Sequence, residues 1–195
     1  MSAALLVALL GAESTGKSTL ARGLAEALVA EGHDAVLVPE YLREFCEHAG
    51  RTPLAGEQRH IAQEQTRRIF TAASGHAIVL ADTTALMTAV YSEQVFGDTS
   101  LYEDALPAHR RCHLTLVCGL DLPWQADGSQ MRDGPQARAP VDACIRAVLL
   151  RSDIPFSVVL GAGPSRLQAA LAPVRHVMDG FTGGCTALSY VYPRR

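Results

Sequence analysis

Several patterns that would assign the chain to a large class of protein are missing from its sequence. No apolar run approaches the ~20 residues that a membrane span needs. The five cysteines are scattered, odd in number and free of any C-x-x-C pair, which excludes a zinc ribbon or a disulfide framework. They read as reduced thiols in a cytoplasmic protein. The seven histidines show no metal-ligand spacing. Charged residues make up 19% of the chain and the net charge is -3, so nothing draws it globally to nucleic acid or an anionic membrane, and a basic site has to be local. No repeat and no low-complexity linker is present. The opening "MSAALLVALL" has no positively charged start and no small-residue cleavage site. It is expected to be a buried strand, not a leader.

What the sequence does have is an alternation of short apolar runs with longer amphipathic ones. A length of 195 residues suggests one domain with room for a sizeable core. Strands are predicted at Ala4–Leu10, Ala35–Pro39, Ala77–Asp82, His113–Gly119 and Phe156–Gly161. All are nearly continuous apolar runs, as strands covered on both faces of a parallel sheet require. Helical patterns fall at Lys17–Ala30, Glu57–Ala73, Thr84–Phe96, Val141–Arg151 and Pro164–Ala172. The alternation predicts βαβ units in a three-layer α/β domain with a five-stranded parallel sheet. That domain is expected over 1–177. The Gly- and Pro-rich segment Leu122–Pro140 interrupts the rhythm and reads as a long functional loop. The tail 178–195 carries no clear period and is left unassigned.

One motif carries specific chemistry. "GAESTGKSTL", Gly11 to Leu20, fits G-x-x-x-x-G-K-[ST] between a predicted strand and a predicted helix, the context a phosphate-binding P-loop needs. Gly11 and Gly16 let the backbone curl its N–H groups inward around phosphate oxygens. The helix N-terminus adds partial positive charge. Glu13, Ser14, Thr15 and Thr19 complete the expected ATP-binding loop. Lys17 is expected at the β- and γ-phosphates, and the Ser18 hydroxyl on Mg²⁺.

Two carboxylates stand at strand ends. Asp82 closes the third strand, where a Walker-B-type acid holds Mg²⁺; a plain helix N-cap is the competing reading. Glu40 closes the second in "VPEYLREF", facing the crevice in which open α/β sheets bind ligands. Either Glu40 or Asp82 is suited to accept a proton from an attacking hydroxyl; Glu40 is suited also to bind ribose hydroxyls, or to sit as a solvated first-turn acid. Tyr41 and Arg43, its neighbours, are candidate walls of an acceptor pocket. In the long segment, Arg132 and Arg138 are placed to act as cis arginine fingers, with solvated loop arginines as the alternative. Trp124, the single tryptophan, and Asp127 share that segment. His109, Arg110, Arg111 and His113, like Arg67 and Arg68, read as solvated helix ends. "GAGPSRLQAAL" after the fifth strand is a Gly-rich turn that either covers an adenine ring or simply connects two elements.

With these residues assembled, the chain resembles the nicotinamide-riboside kinase (NadR-type) P-loop family, an AAA-like, nucleoside-kinase-like ATP-binding domain. The resemblance rests on "GAESTGKSTL" with its Glu13, "VPEYLREF", "ADTTALMTAVYSEQVFG" and "DLPWQADGSQMRDGPQAR", in that order and spanning about Ala4 to Ala170. It implies phosphoryl transfer from ATP, with Mg²⁺, to the 5′-hydroxyl of nicotinamide riboside in NAD biosynthesis, and a nucleoside-kinase-like fold with a lid at about 122–140. It also implies a small-molecule partner, with no nucleic acid and no membrane. Adenylyltransferase and DNA-binding domains, which some members carry, are expected to lie elsewhere. A cationic pyridinium ring suits aromatic faces and a carboxylate, for which Tyr41, Trp124 and Asp127 are candidates. Other readings stay open: a kinase for another nucleoside, or an ATP-binding regulatory module of NAD metabolism with no small acceptor. A GTPase is disfavoured, since "CGLDLPW" stands where N-K-x-D would follow the fourth strand.

Overall fold

The computed structural model describes residues 3–125 and 134–182. Five strands, β1 (Leu5–Leu10), β2 (Ala35–Val38), β3 (Ile78–Asp82), β4 (Leu114–Cys118) and β5 (Ser157–Val159), form one sheet in the order β2-β3-β1-β4-β5. Every pairing is parallel. The five predicted apolar runs are these five strands. Their residues alternate between the sheet's two faces, as the pleat dictates. Leu5, Val7 and Leu9 pack with α1 (Lys17–Ala30) and α7 (Gly163–Thr182). On the opposite face Leu10 and Val117 meet α4 (Ala85–Phe96), α5 (Tyr102–His109) and α6 (Arg138–Arg151). Leu6, Val79 and Ala81 meet α3 (Gln58–Ala73). The remaining helix, α2 (Tyr41–Ala49), packs beside α3.

Two helices were not anticipated, for identifiable reasons. In α2 the apolar positions Tyr41, Leu42, Phe45, Cys46 and Ala49 do recur at helical spacing, but its nine residues fall short of the roughly 11 over which a helical period is read. Pro107 lies inside the eight-residue α5, a residue that ordinarily argues against a helix interior. A third difference concerns length. The helix expected over Pro164–Ala172 runs on through Pro173 to Thr182. Ala170, Leu171 and Val174 are all buried against the sheet, and that packing carries the helix past its proline. Met178–Thr182, the beginning of the unassigned tail, therefore belongs to α7.

Strand order decides where the functional loops lie. All five strands are parallel, so their C-terminal ends share one edge of the sheet, where open α/β sheets bind ligands. Across that edge come Glu40 after β2, Asp82 ending β3, the glycine loop after β1, 119–125 after β4 and 160–162 after β5. Asp82 is paired in register with Leu9, two residues before the glycine loop.

Candidate functional site

A cleft of about 890 Å³ opens along that edge, near the upper end of the usual range for small-molecule sites. Its floor is the glycine loop, from Glu13 to Leu20. On the β2 side the wall comes from Glu40, Leu42, Arg43, Cys46, Thr52 and Gln58, with Tyr91 from α4. On the β5 side it comes from Ala162, Gly163, Pro164, Arg166 and Leu167, and Leu122–Gln125 close over the top. The turn "GAGPSRL" therefore forms one wall of the cleft. A smaller cavity of about 240 Å³ adjoins it, lined by Glu13, Tyr91, Arg138 and α6 residues. Glu13 thus stands in the wall common to both.

The loop is shaped as an anion cradle. Gly16 takes a left-handed conformation (φ 73°) and begins α1, so the helix N-terminus points at the cleft. Ser14 is also left-handed (φ 54°) although it has a side chain, a strain that persists only where surrounding contacts impose it. Gly11 is excluded from substitution by space: a Cβ there would lie 2.9 Å from Thr15 Oγ1 and 3.0 Å from Cys118 Cβ. Thr15 is fully buried and donates its hydroxyl to the Ala12 carbonyl at 2.8 Å. Lys17 Nζ rests on the same carbonyl at 2.9 Å.

The two carboxylates differ in setting. Asp82 is buried, and its Oδ1 has no hydrogen-bond partner. The helix cap that competed for it belongs instead to Thr84, whose hydroxyl accepts from the Leu86 N–H. Between them Thr83 is left-handed (φ 71°). A buried, unsatisfied carboxylate oxygen beside a P-loop fits a divalent cation, and a serine hydroxyl, one carboxylate and nucleotide phosphates make a sufficient set for Mg²⁺. Glu40 forms the N-cap of α2 but makes no side-chain cap bond. Its carboxyl is pushed up to about 7, chiefly by burial. Lys17 and Arg43 oppose the shift, and Asp82 and Glu13 reinforce it.

Arg43 and Trp124 line the cleft as expected, but Tyr41 does not. Its ring lies under the Arg68 guanidinium, 4.4 Å from the centroid, and edge-on to His60. Arg68 is held there by Glu44 and Glu64, so it forms an ion-paired brace between α2 and α3, whereas Arg67 pairs only with Glu64 on its own helix and stays largely exposed. Arg138 is almost fully buried, not swinging free. It donates to the Leu122 carbonyl at 3.0 Å and the Ser14 carbonyl at 3.4 Å. The Gln125 N–H donates to Ser14 Oγ at 2.8 Å. Both described ends of the Leu122–Pro140 segment are thereby tied to the glycine loop at Ser14. Asp127 and Arg132 lie outside the described residues.

Arg166 was not anticipated at all. It is 4% exposed and donates to the Thr15 carbonyl at 2.8 Å and the Gly161 carbonyl at 2.9 Å, with Asp121 at 3.5 Å. Its sequence context, a Gly-rich turn, offered only a possible adenine contact. The cluster around His109 also differs from a solvated helix end. His109 is buried between the Thr84 and Thr115 hydroxyls, at 2.9 and 3.0 Å, and burial pushes its pKa down to about 4. His113 Nδ1 accepts from the Leu6 N–H at 3.0 Å, Arg110 donates to the Ser152 carbonyl, and Arg111 stacks on Phe70.

Among the described residues no group of three or more His, Cys, Asp and Glu forms a ready metal cage, and no helix is long and apolar enough to cross a membrane. No curated protein matches the chain. Among solved structures it is similar to NadR protein in complex with nicotinamide riboside (NR), with 20% identity and a TM-score of 0.68 over 96% of this chain. NadR protein in complex with NAD and AMP-PNP gives 20% and 0.67 over 94%. The chain spans about half the length of those two, 52% and 51% respectively. Thymidylate kinase from Ehrlichia chaffeensis matches at 15% identity and a TM-score of 0.64, over 90% of this chain and 99% of that one. Deoxyadenosine kinase from M. mycoides with bound dCTP matches at 11% and 0.58, over 88% and 100%. These likenesses fix the fold as that of the P-loop nucleoside and nucleotide kinases. The AAA domain family matches residues 6–166, most of the chain from β1 into α7, and it is to this family that the chain belongs.

Proposed function

We propose that the protein is a cytoplasmic ATP-dependent phosphotransferase that moves the γ-phosphate of ATP to the 5′-hydroxyl of nicotinamide riboside, giving the mononucleotide for NAD biosynthesis. The observation that carries this reading is the asymmetry of the cleft. Glu40 and Asp82 stand on one side of the P-loop, at the ends of β2 and β3. The Gly-rich turn after β5 forms the other wall, against which the adenosine of ATP would lie. An acceptor hydroxyl on the β2 side then meets a carboxylate whose pKa of about 7 matches a general base working near neutrality. The likeness to NadR in complex with nicotinamide riboside supports the choice of acceptor. The four described cysteines are free thiols, in keeping with a reducing compartment.

In this reading the P-loop N–H groups and Lys17 hold the phosphates, and Arg166 and Arg138 fix the loop through the carbonyls of Thr15 and Ser14. Ser18 and Asp82 would hold Mg²⁺, which neutralises charge on the transferring phosphoryl group. Glu40 orients the acceptor hydroxyl and takes its proton. Most of the rate enhancement is positioning and electrostatics, since phosphoryl transfer asks little covalent chemistry of the protein.

The direct test is whether ATP consumption depends on added nicotinamide riboside, with the mononucleotide detected by mass spectrometry. ATP hydrolysis indifferent to the riboside would instead mark a regulatory module. A different nucleoside acceptor is the second reading, supported by the similarity to the M. mycoides deoxyadenosine kinase; a nucleoside panel separates the two. Trp124, half-buried in the lid wall, offers its face to a pyridinium cation. Trp124→Ala is expected to raise KM for the riboside about tenfold, as the loss of a desolvated cation–π contact would, while KM for ATP stays nearly constant. Equal rises in both constants would show that Trp124 merely seals the lid.

A further inference from the structure

Two glutamines lie seven residues apart on α3, at Gln58 and Gln65, a spacing that puts them on one face of the helix. Both are 2% exposed. Gln65 is satisfied by the protein: its Oε1 accepts from the Tyr41 N–H at 2.7 Å, and its Nε2 reaches the Pro39 and Thr83 carbonyls at 3.3 and 3.4 Å. Gln58 is not. Its Nε2 is buried without a hydrogen-bond partner, and the side chain forms part of the cleft wall. Leaving a buried amide donor unpaired costs stability, so such a group in the wall of a binding cleft points to a ligand acceptor atom.

Its position is also held firmly. The preceding residue, Glu57, makes a bidentate pair with Arg51 at 2.7 and 2.7 Å and accepts from the Leu54 N–H at 2.7 Å. That clamp fixes the turn leading into α3 and with it the start of the helix. Gln58 shares its wall with Glu40, Arg43 and Thr52 on the β2 side, away from the Gly-rich turn assigned to adenosine. The side chain that carries the unpaired donor therefore stands in the wall of the acceptor half of the cleft.

We propose that Gln58 is a specificity-determining residue of the acceptor pocket, its side-chain amide donating to an exocyclic carbonyl on the ring of the incoming nucleoside. For nicotinamide riboside that atom is the carboxamide oxygen. The inference rests on reading the cleft as a nucleoside-kinase site, and it adds the recognition element that such a site needs. A pocket with a dedicated donor rejects an analogue lacking the matching acceptor far more strongly than shape alone would.

The test compares the full-length protein with its Gln58→Leu variant. The substrates are nicotinamide riboside and the riboside of 3-methylpyridine, which keeps the cation and the outline but has no carbonyl. The wild type should prefer the first by about ten- to a hundredfold in kcat/KM, as the loss of one buried hydrogen-bond partner predicts. Gln58→Leu should erase the preference while KM for ATP stays within about twofold, since the residue lies in the β2-side wall and not in the nucleotide half. Thermal unfolding separates this from a structural role. Removing an unpaired buried amide should leave Tm unchanged or raise it, whereas a structural glutamine would lower it. If the wild type ignores nicotinamide riboside, the same comparison is run with uridine and guanosine, which carry ring carbonyls, against adenosine, which does not. Loss of carbonyl preference in the variant then supports Gln58 although the riboside reading has failed. An unchanged preference in the variant, or none in the wild type, overturns the inference, and failure to bind any nucleoside overturns both.

Discussion

Lys17→Ala is expected to remove turnover, with kcat falling at least about a thousandfold, because Lys17 is the one cationic side chain that the glycine loop itself carries. Losing one preorganised donor to a developing oxyanion typically costs 10²–10³ in rate, and here the donor is also a cation. Lys17 is moreover the only lysine in the chain. The fold should survive. Lys17 Nζ rests on the Ala12 carbonyl, but that carbonyl also accepts from Thr15 Oγ1 at 2.8 Å, so truncation orphans no buried acceptor. A circular dichroism melt close to wild type, together with the lost rate, is the expected pair of results. Retained kinase activity would remove the central role given to this residue. The single lysine also supplies an independent readout. An amine-reactive ATP analogue should modify one side chain, Lys17, and excess ATP should protect it.

Glu40→Gln should abolish turnover for a different reason and make the protein more stable. As a general base Glu40 must be ionised, and proton transfer to a positioned base is worth about 10²–10⁴ in rate. Its pKa in the ligand-free protein is about 7, raised mainly by burial. With both substrates below saturation, kcat/KM should therefore rise with pH through about 7 and level off above it. The Gln variant should show a low, flat profile over the same range. A wild-type profile with no break near 7, or a variant with near-normal kcat, would exclude Glu40 as the base.

The stability effect follows from the same shift. A carboxyl whose folded pKa lies above its unfolded value favours the folded state below about 4.5, and loses that contribution as pH rises through about 7. At pH 8 the wild type carries a charge that the cleft disfavours. At ~1.4 kcal/mol per pH unit this amounts to on the order of 3 kcal/mol before water in the cleft screens it. Glu40→Gln carries no such charge, so its Tm should exceed wild type at pH 8 and match it near pH 4. A variant both inactive and more stable is the signature of a residue kept for chemistry at the expense of the fold.

Local pattern made much of this molecule readable before its fold was known. A P-loop is defined by glycines and a lysine within eight consecutive positions, and strands buried on both faces announce themselves as apolar runs, because both signals depend on neighbours along the chain. So the five strands, α1 to the residue and the carboxylates at the ends of β2 and β3 followed from the sequence. The remainder depended on residues far apart in sequence. Arg166 meets the Thr15 carbonyl across 151 positions and Arg138 meets Ser14 across 124, so a Gly-rich turn and a lid arginine became supports of the glycine loop only through strand order. Tyr41 was displaced from the cleft by the Arg68 brace, and His109 went into the interior because two threonine hydroxyls satisfy it there. Gln58 and Gln65 are identical as letters on one helix face. Whether a buried amide finds a protein partner or waits for a ligand is decided by what the fold packs against it, and that only the tertiary structure determined.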